Sequence, residues 1–467
     1  MKSLLNKGFI HALPLICGSF AAGIAAAQQP LSLGRAVMLA IDHYPSVQSR
    51  QAQVSAGKAV LEETRHAWLP SLRLHEQLDA GTDNSLNSAY FPVGIIPSAS
   101  GGRRPDNNSS ITTGNIAALA GDWEVYNFGS YKARTAEAGA ALRISEAGLD
   151  REKYTITATV IQNYLDLVKY ASLLALQQKN IQRTDTVKRA IQAYINSGLK
   201  AGVDSSVAEA ELSKARLIYI EWTNAYNLLK SRLATLTGLD TAAVVPDTSI
   251  NMYLRGLLAP AATPVDTFYR QHPFLKYYQS VYEDNLAQQQ VIRKALLPKV
   301  SLMAAGWMRG SGISPSDVYS KNLLDGFGYS RYNYLVGVGI TYNLFDLKRT
   351  QYRVNIQKFR TMAAGQDVQE QKTLLDNALQ QADITVGSVV QKLREIPLQV
   401  KAAGDAYGQK LALYNAGITS IVDVTNALYV LNRAETDAVY TNDDAWKAIF
   451  QKAYAGNTIS TLLSTLK

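Results

Sequence analysis

From Arg331 to Leu344 the chain alternates between two kinds of side chain. Tyr332, Tyr334, Val336, Val338, Ile340, Tyr342 and Leu344 share one parity. Arg331, Asn333, Leu335, Gly337, Gly339, Thr341 and Asn343 share the other. Period two sustained over this length predicts a β-strand with one apolar face. Leu72, Leu74 and Leu78 alternate with Arg73, His75, Gln77 and Asp79 and predict another strand after Pro70. Helical spacing governs the rest. Val47, Val54, Leu61 and Trp68 recur every seven residues, and Pro70 ends that helix. Leu275, Tyr282 and Leu296 keep three of the same four positions further on, with Gln289 in the fourth. The segment 130–197 is free of proline and rich in strong helix formers, which predicts about 100 Å of continuous helix. Gly198 stops it. A return helix carries Ile218, Trp222, Ala225, Leu229, Leu233 and Leu236 at spacings of three and four.

The same plan is written twice. Gly198 and Asp204 in Gly-Leu-Lys-Ala-Gly-Val-Asp return as Gly417 and Asp423 in Gly-Ile-Thr-Ser-Ile-Val-Asp. The offset also carries Tyr126-Asn127-Phe128-Gly129 onto Phe345-Asp346-Leu347-Lys348. The regular repetition predicts a duplicated architecture. The first copy spans 28–237, with a helix, a strand hairpin at 71–127, a long helix at 130–197 and a return helix at 204–237. Residues 238–264 form a proline-marked linker. The second copy spans 265–455, with a helix, a hairpin at 299–345, a long helix at 347–416 and a return helix at 423–455. Pro397 falls inside that long helix and is expected to bend or break it. A tail follows at 456–467. The loops at 81–110 and 310–330 are rich in Gly, Ser, Asn and Pro and are expected at exposed hairpin tips.

The aromatic ends of the last strand change the picture. Tyr332 and Tyr342 are separated by about 33 Å of strand. Tilted, that is about 23 Å of height, close to the apolar band of a membrane barrel between its aromatic girdles. Tyr334 and Trp123 fit the same belt. A soluble sheet with one buried face fits the alternation as well. Four strands cannot close a barrel, and an open sheet in lipid leaves edge groups unpaired. Eight strands from two chains give a filled interior, whereas twelve from three leave a lumen. Three chains would also supply enough long helices to wall a hollow cylinder.

Composition narrows the setting. Lys2 and Lys7, an apolar stretch at 9–24 and Ala25-Ala26-Ala27 make residues 1–27 a secretory signal. Cys17, the one cysteine, lies inside it, and Ile16 before it is not the small residue that lipid attachment favours. Without the signal, 45 of the 47 Lys and Arg remain against 38 acidic residues. That excess, spread along the chain without a dense basic run, does not mark a nucleic-acid binder. No later apolar run is long enough for a spanning helix. His43, His66, His75 and His272 lack metal-ligand spacing, and no nucleophile elbow occurs. Gly337 and Gly339 read as small-residue packing in a strand. The expectation is passage, not catalysis, with no cofactor or metal.

The duplicated plan, the Phe/Tyr-Asp/Asn boundary after each second strand and the Gly-Leu/Ile-x4-Asp tips resemble the TolC-like outer-membrane factor family. The resemblance covers about 31–455. It implies a mainly α fold with a membrane β-barrel: a homotrimer with twelve strands in the outer membrane and an α-helical tunnel across the periplasm. It implies an exit duct for an efflux pump or a type I secretion system, working with a periplasmic adaptor and an inner-membrane transporter. It places Gly198, Leu199, Gly417 and Ile418 at helix tips that adaptors grip, although these residues also simply terminate helices. It matches Asp423 to an aspartate that lines the tunnel entrance and Asp204 to the aspartate at the first tip, and it implies a gate role for them. Helix capping is an alternative use for an aspartate after a glycine turn. The family's gate adds an arginine and a second aspartate where this chain has Thr419 and Asn426, so an electrostatic latch would be incomplete. A periplasmic coiled-coil scaffold or adhesin without a pore is the competing reading.

Overall fold

A computed structural model of the chain describes residues 30–84, 94, 96, 105–197, 202–254 and 271–466. Helix α1 (Leu33–His43) starts at Ser32, whose hydroxyl accepts from the Arg35 N–H. Helix α2 (Pro45–His66) opens with proline at its first position, where no N–H is needed. Strands β1 (Ser71–Gly81) and β2 (Thr112–Tyr126) follow, then helix α3 (Ser130–Asn196) of 67 residues and α4 (Val203–Thr237). After two short 3-10 turns come α5 (Pro273–Lys294), β3 (Lys299–Ser311), β4 (Arg331–Thr341) and the 70-residue α6 (Asp346–Asn415). Helices α7 (Ile421–Ala455) and α8 (Ile459–Thr465) complete the chain.

The sheet is open and antiparallel in the order β1-β2-β3-β4. Its register settles which residues share a face. Leu74, Leu119, Gly306 and Tyr334 stand in one row, and Leu72, Gly121, Ala304 and Val336 in the next of the same parity. That face is apolar yet exposed: Tyr334 is 86% and Ile340 73% accessible. The opposite face is mixed, with His75, Ala118, Trp307 and Asn333 in one row. On it Ile96, from the β1–β2 connection, packs with Ile116, Ala118, Ala305 and Trp307.

The main core lies halfway along the long helices. Val160, Ile161, Tyr164, Leu167 and Val168 of α3 pack with α1, the end of α4, Trp446 and Phe450 of α7, and Ile459 and Leu462 of α8. Each such aliphatic side chain contributes about 1.5–3 kcal/mol through burial. Tyr164 is fully buried, donates to the Leu31 carbonyl at 2.7 Å and accepts from the Asp247 N–H at 3.0 Å. It thereby ties the N-terminal segment and the segment after α4 to α3. A charged cluster bridges α3 and α7. Lys447 lies 2.7 Å from Asp166 and 2.8 Å from Asp443, and Lys169 lies 2.6 and 3.3 Å from the same pair. Burial alone would lower the Lys447 pKa, but hydrogen bonds to Asp166 and Asp443 outweigh it and hold the ammonium well above its usual value.

Several expectations require correction. Trp68 lies beyond α2, which ends at His66, because Pro70 forces extended backbone before the strand. Leu61 is half-buried, and only Val47 and Val54 of that stripe reach the core. Gln289 is buried where an apolar residue was the rule. Strand β4 ends at Thr341, the partner of Lys299, so Tyr342 and Leu344 continue past the end of the ladder. Helix α6 runs unbroken through Pro397 and packs against α5 and α7. The expected tail contains α8, whose Ile459 and Leu462 are buried.

His272 caps α5 from inside the core. Its Nδ1 accepts from the Phe274 N–H at 3.3 Å, so Nε2 bears the proton and donates to the Tyr454 carbonyl at 3.1 Å. The ring packs edge-on against Tyr154 at 5.0 Å. Burial depresses its pKa, only partly offset by the Tyr454 carbonyl. The unfolded chain takes up this proton near pH 6.5 and the folded chain does not. Stability should therefore fall as pH drops below about 6.5 and level off beneath the folded pKa. Urea unfolding at about pH 7.5 and 5.5 tests this. The His272→Asn variant keeps a cap acceptor but cannot titrate, so it should lose less stability than the wild type across that interval.

Candidate functional site

Two regions gather the residues singled out by the sequence, one at each end of the long helices. The first is the sheet and its aromatic rim. Tyr332 and Tyr334 stand on the exposed apolar face near the far end of β4. At the helix-proximal end, Trp123 occupies the same face, opposite Leu302 and in line with Val338. Its ring lies 5.9 Å from that of Trp68, and its Nε1 donates to the Trp68 carbonyl at 2.9 Å. Tyr126 and Phe128 add an edge-to-face pair at 4.7 Å, and Phe345 is 97% exposed. Tyr342 joins this rim from beyond the strand. Apolar side chains with polar tips therefore flank the exposed apolar face at both ends.

The second region is the far end of the helical hairpins. Helix α6 ends in a Schellman motif. Gly417 adopts φ +74°, its N–H donates to the Tyr414 carbonyl at 3.0 Å, and the Ile418 N–H donates to the Leu413 carbonyl at 2.9 Å. Ile418 is 72% exposed at the turn. Gly198 and Leu199 lie outside the described residues. Asp204 is the second residue of α4, in its first turn, where the helix dipole favours a carboxylate.

Asp423 is not the N-cap. Ser420 holds that position, and Asp423 closes a reciprocal capping box with it. Asp423 Oδ2 accepts from Thr419 Oγ1 at 2.6 Å, from Ser420 Oγ at 2.9 Å and from the Ser420 N–H at 3.3 Å. The Thr419 hydrogen bond, then those from Ser420, hold the carboxyl below its usual pKa, and Lys410 adds a smaller attraction. The side chain thus stays ionised at mildly acidic pH. Thr419 therefore shares the Asp423 site, whereas Asn426 is exposed one turn further on and is not among its hydrogen-bond partners.

Contacts between the hairpins went unread in the sequence. Val187 and Ile191 of α3 cluster with Ala208 of α4, Tyr414 of α6, and Ile421 and Val424 of α7. Arg183 of α3 binds Glu435 of α7 through both carboxylate oxygens, at 2.6 and 2.9 Å. Lys188 pairs with Glu209 across the first hairpin. Only the Ser420-x-x-Asp423 box carries a local signature; the other pairings depend on tertiary approach. Among the described residues, no cluster of His, Cys, Asp or Glu could hold a metal ion, and no helix is long and apolar enough to cross a membrane.

This combination of a small apolar-faced sheet and very long helical hairpins is the fold of solved outer-membrane channels. The chain superposes on the channel protein CusC with a TM-score of 0.75 at 13% identity, covering 91% of each chain. It superposes on VceC of Vibrio cholerae with a TM-score of 0.73 at 14% identity, covering 91% of this chain and 95% of that one. In sequence it is 25% identical to Nodulation protein T of Rhizobium leguminosarum bv. trifolii over 334 residues, 70% of this chain and 67% of that protein. The profile of the outer membrane efflux protein family matches residues 36–239 and 276–447. The chain belongs to that family.

Proposed function

We propose that three copies of this chain form a passive exit duct through the outer membrane, built from two internal repeats per chain. Twelve strands close a barrel in the bilayer, and the helices wall a tunnel reaching into the periplasm. One observation supports this most directly. The sheet exposes an apolar face and, among the described residues, leaves the outer sides of β1 and β4 without strand partners. Lipid tolerates the first and forbids the second, so the edges must meet those of other copies. The aromatic rims, with Trp123, Tyr332, Tyr334 and Tyr342, sit at the two interfaces of the bilayer. The duct performs no catalysis, and an inner-membrane transporter supplies the energy of export.

The tips bear on regulation. Ile418, on a glycine-terminated turn, and Leu199, its counterpart in the sequence repeat, are offered to a periplasmic adaptor. Three copies of Asp423 and Asp204 ring the entrance with negative charge, which attracts cations. Because Asp423 bonds within its own turn, the ring serves as a fixed charge, and adaptor binding opens the entrance by shifting whole hairpins. Photocrosslinking at Ile418 and Leu199 in cells, combined with single-channel recording of the purified protein, tests the assignment. Trimers that conduct and that crosslink to a periplasmic protein are expected. A soluble protein with no conductance would instead support a pore-free scaffold.

A further inference from the structure

Between the sheet and the central core the helices stand in the order α2, α3, α5, α6, each packed on the next. One face of α6 meets α5, where Gln357 donates to Asn285 at 2.8 Å. On its other side Tyr352, Ile356, Phe359 and Met362 follow at spacings of four and three, so they share a face. They are 53–67% exposed. A row of large apolar side chains left open marks an interaction surface. At the other end of the helix order, Ser49, Ala52, Ser55, Ala56 and Ala59 of α2 are exposed, while Val47 and Val54 are buried.

We propose that this face of α6 docks against α2 of a second copy, large side chains onto small. The inference rests on the threefold duct reading and continues its strand edges into the helices: α2 leads into β1, and α6 leaves β4. The duplication supplies a template. It makes α6 the counterpart of α3, as Gly417 is of Gly198, and α5 that of α2, as Pro273 is of Pro45. An α6–α2 contact between copies therefore repeats the α3–α5 contact within one chain. That internal contact is small on α3 and large and charged on α5. Tyr277 lies over Gly148, Arg143 pairs with Glu283 at 3.3 Å, and Lys276 pairs with Asp150 at 2.8 Å. Ala140, three residues before Arg143, shares its face and is fully buried. The counterparts exchange these properties. Ala140 corresponds to Phe359 and Tyr277 to Ser49. Arg143 and Glu283 correspond to Met362 and Ser55, and Asp150 and Lys276 to Gln369 and Gln48, so both ion pairs give way to uncharged residues. In the register of Arg143 with Glu283, Met362 meets Ser55 and Phe359 falls between Ala56 and Ala59 of the other copy. Small residues on both helices would leave voids, and large ones on both would overpack. Charge thus selects the contact inside a chain, and size selects the one between chains.

Crosslinking of the full chain tests the docking. Cys17 is the one native cysteine. In a C17A background, S55C/M362C treated with a short bismaleimide should give covalent dimers and trimers on denaturing gels. R143C/E283C, the counterpart pair within the chain, should stay at the size of one chain. Phe359→Ala and Ala56→Phe should each lower the trimer fraction in mild detergent severalfold, and F359A/A56F should recover most of it. Wild-type trimers whose S55C/M362C version never links between chains, or whose yield ignores both single changes, overturn the docking and leave the threefold reading intact. A wild type that is monomeric in detergent defeats the threefold reading itself, and this inference with it.

Discussion

Arginine at Val336 should prevent stable assembly in the membrane, whereas arginine at Leu335 should be tolerated. The two positions are adjacent on β4 and project to opposite faces of the sheet. Val336 stands in the apolar row with Leu72, Gly121 and Ala304; Leu335 stands in the mixed row with Arg73, Ala120 and Ala305. Near the bilayer midplane an arginine on the lipid face costs about 2–4 kcal/mol, and a trimer would bear that cost three times. On the lumenal face the same side chain meets water. Flotation of outer-membrane fractions and trimer yield in mild detergent give the readout. Equal yields from Val336→Arg and Leu335→Arg would mean that the apolar face does not touch lipid.

Loss of Asp443 should markedly destabilise the helical body. Its side chain is 6% exposed and holds Lys169 and Lys447 at 3.3 and 2.8 Å. Asp443→Ala leaves two ammonium groups on the one remaining carboxylate, Asp166. Removing one partner from a buried ionic cluster typically costs about 3–5 kcal/mol, and the partial exposure of Lys447 places the value near about 3 kcal/mol. Replacing Asp443 and Lys447 together by leucine and methionine should recover most of that loss, because the buried charges return to balance. Denaturant unfolding in detergent measures both. A single variant within about 0.5 kcal/mol of the wild type would mean that the cluster is only a solvated surface network.

What the sequence disclosed follows from how local each determinant is. The alternation in β4 identified its two faces because period two is a property of one segment. Its end was less legible: the ladder stops where β3 begins at Lys299, and that partner lies outside the segment. The long helices declared themselves through composition, but the core at the middle of α3 did not. A helix buried on several sides loses the single apolar stripe that periodicity detects. The charged cluster was invisible for a different reason, since Asp166 and Lys447 are 281 residues apart. At the tips, glycine marked the turn correctly in principle, and Gly417 indeed takes the left-handed conformation. Asp423 caps from the N3 position and not from the N-cap, because Ser420 three residues earlier fills that place.

The unpartnered sides of β1 and β4 have a wider consequence. In the threefold ring proposed above, the seam between chains would be made by the same two edges at every junction. A change on either edge is therefore repeated at all three seams at once, and no seam can compensate for another. Such a wall can drift in its loops and along its smooth outer rows, but its margins inherit change only in matched pairs.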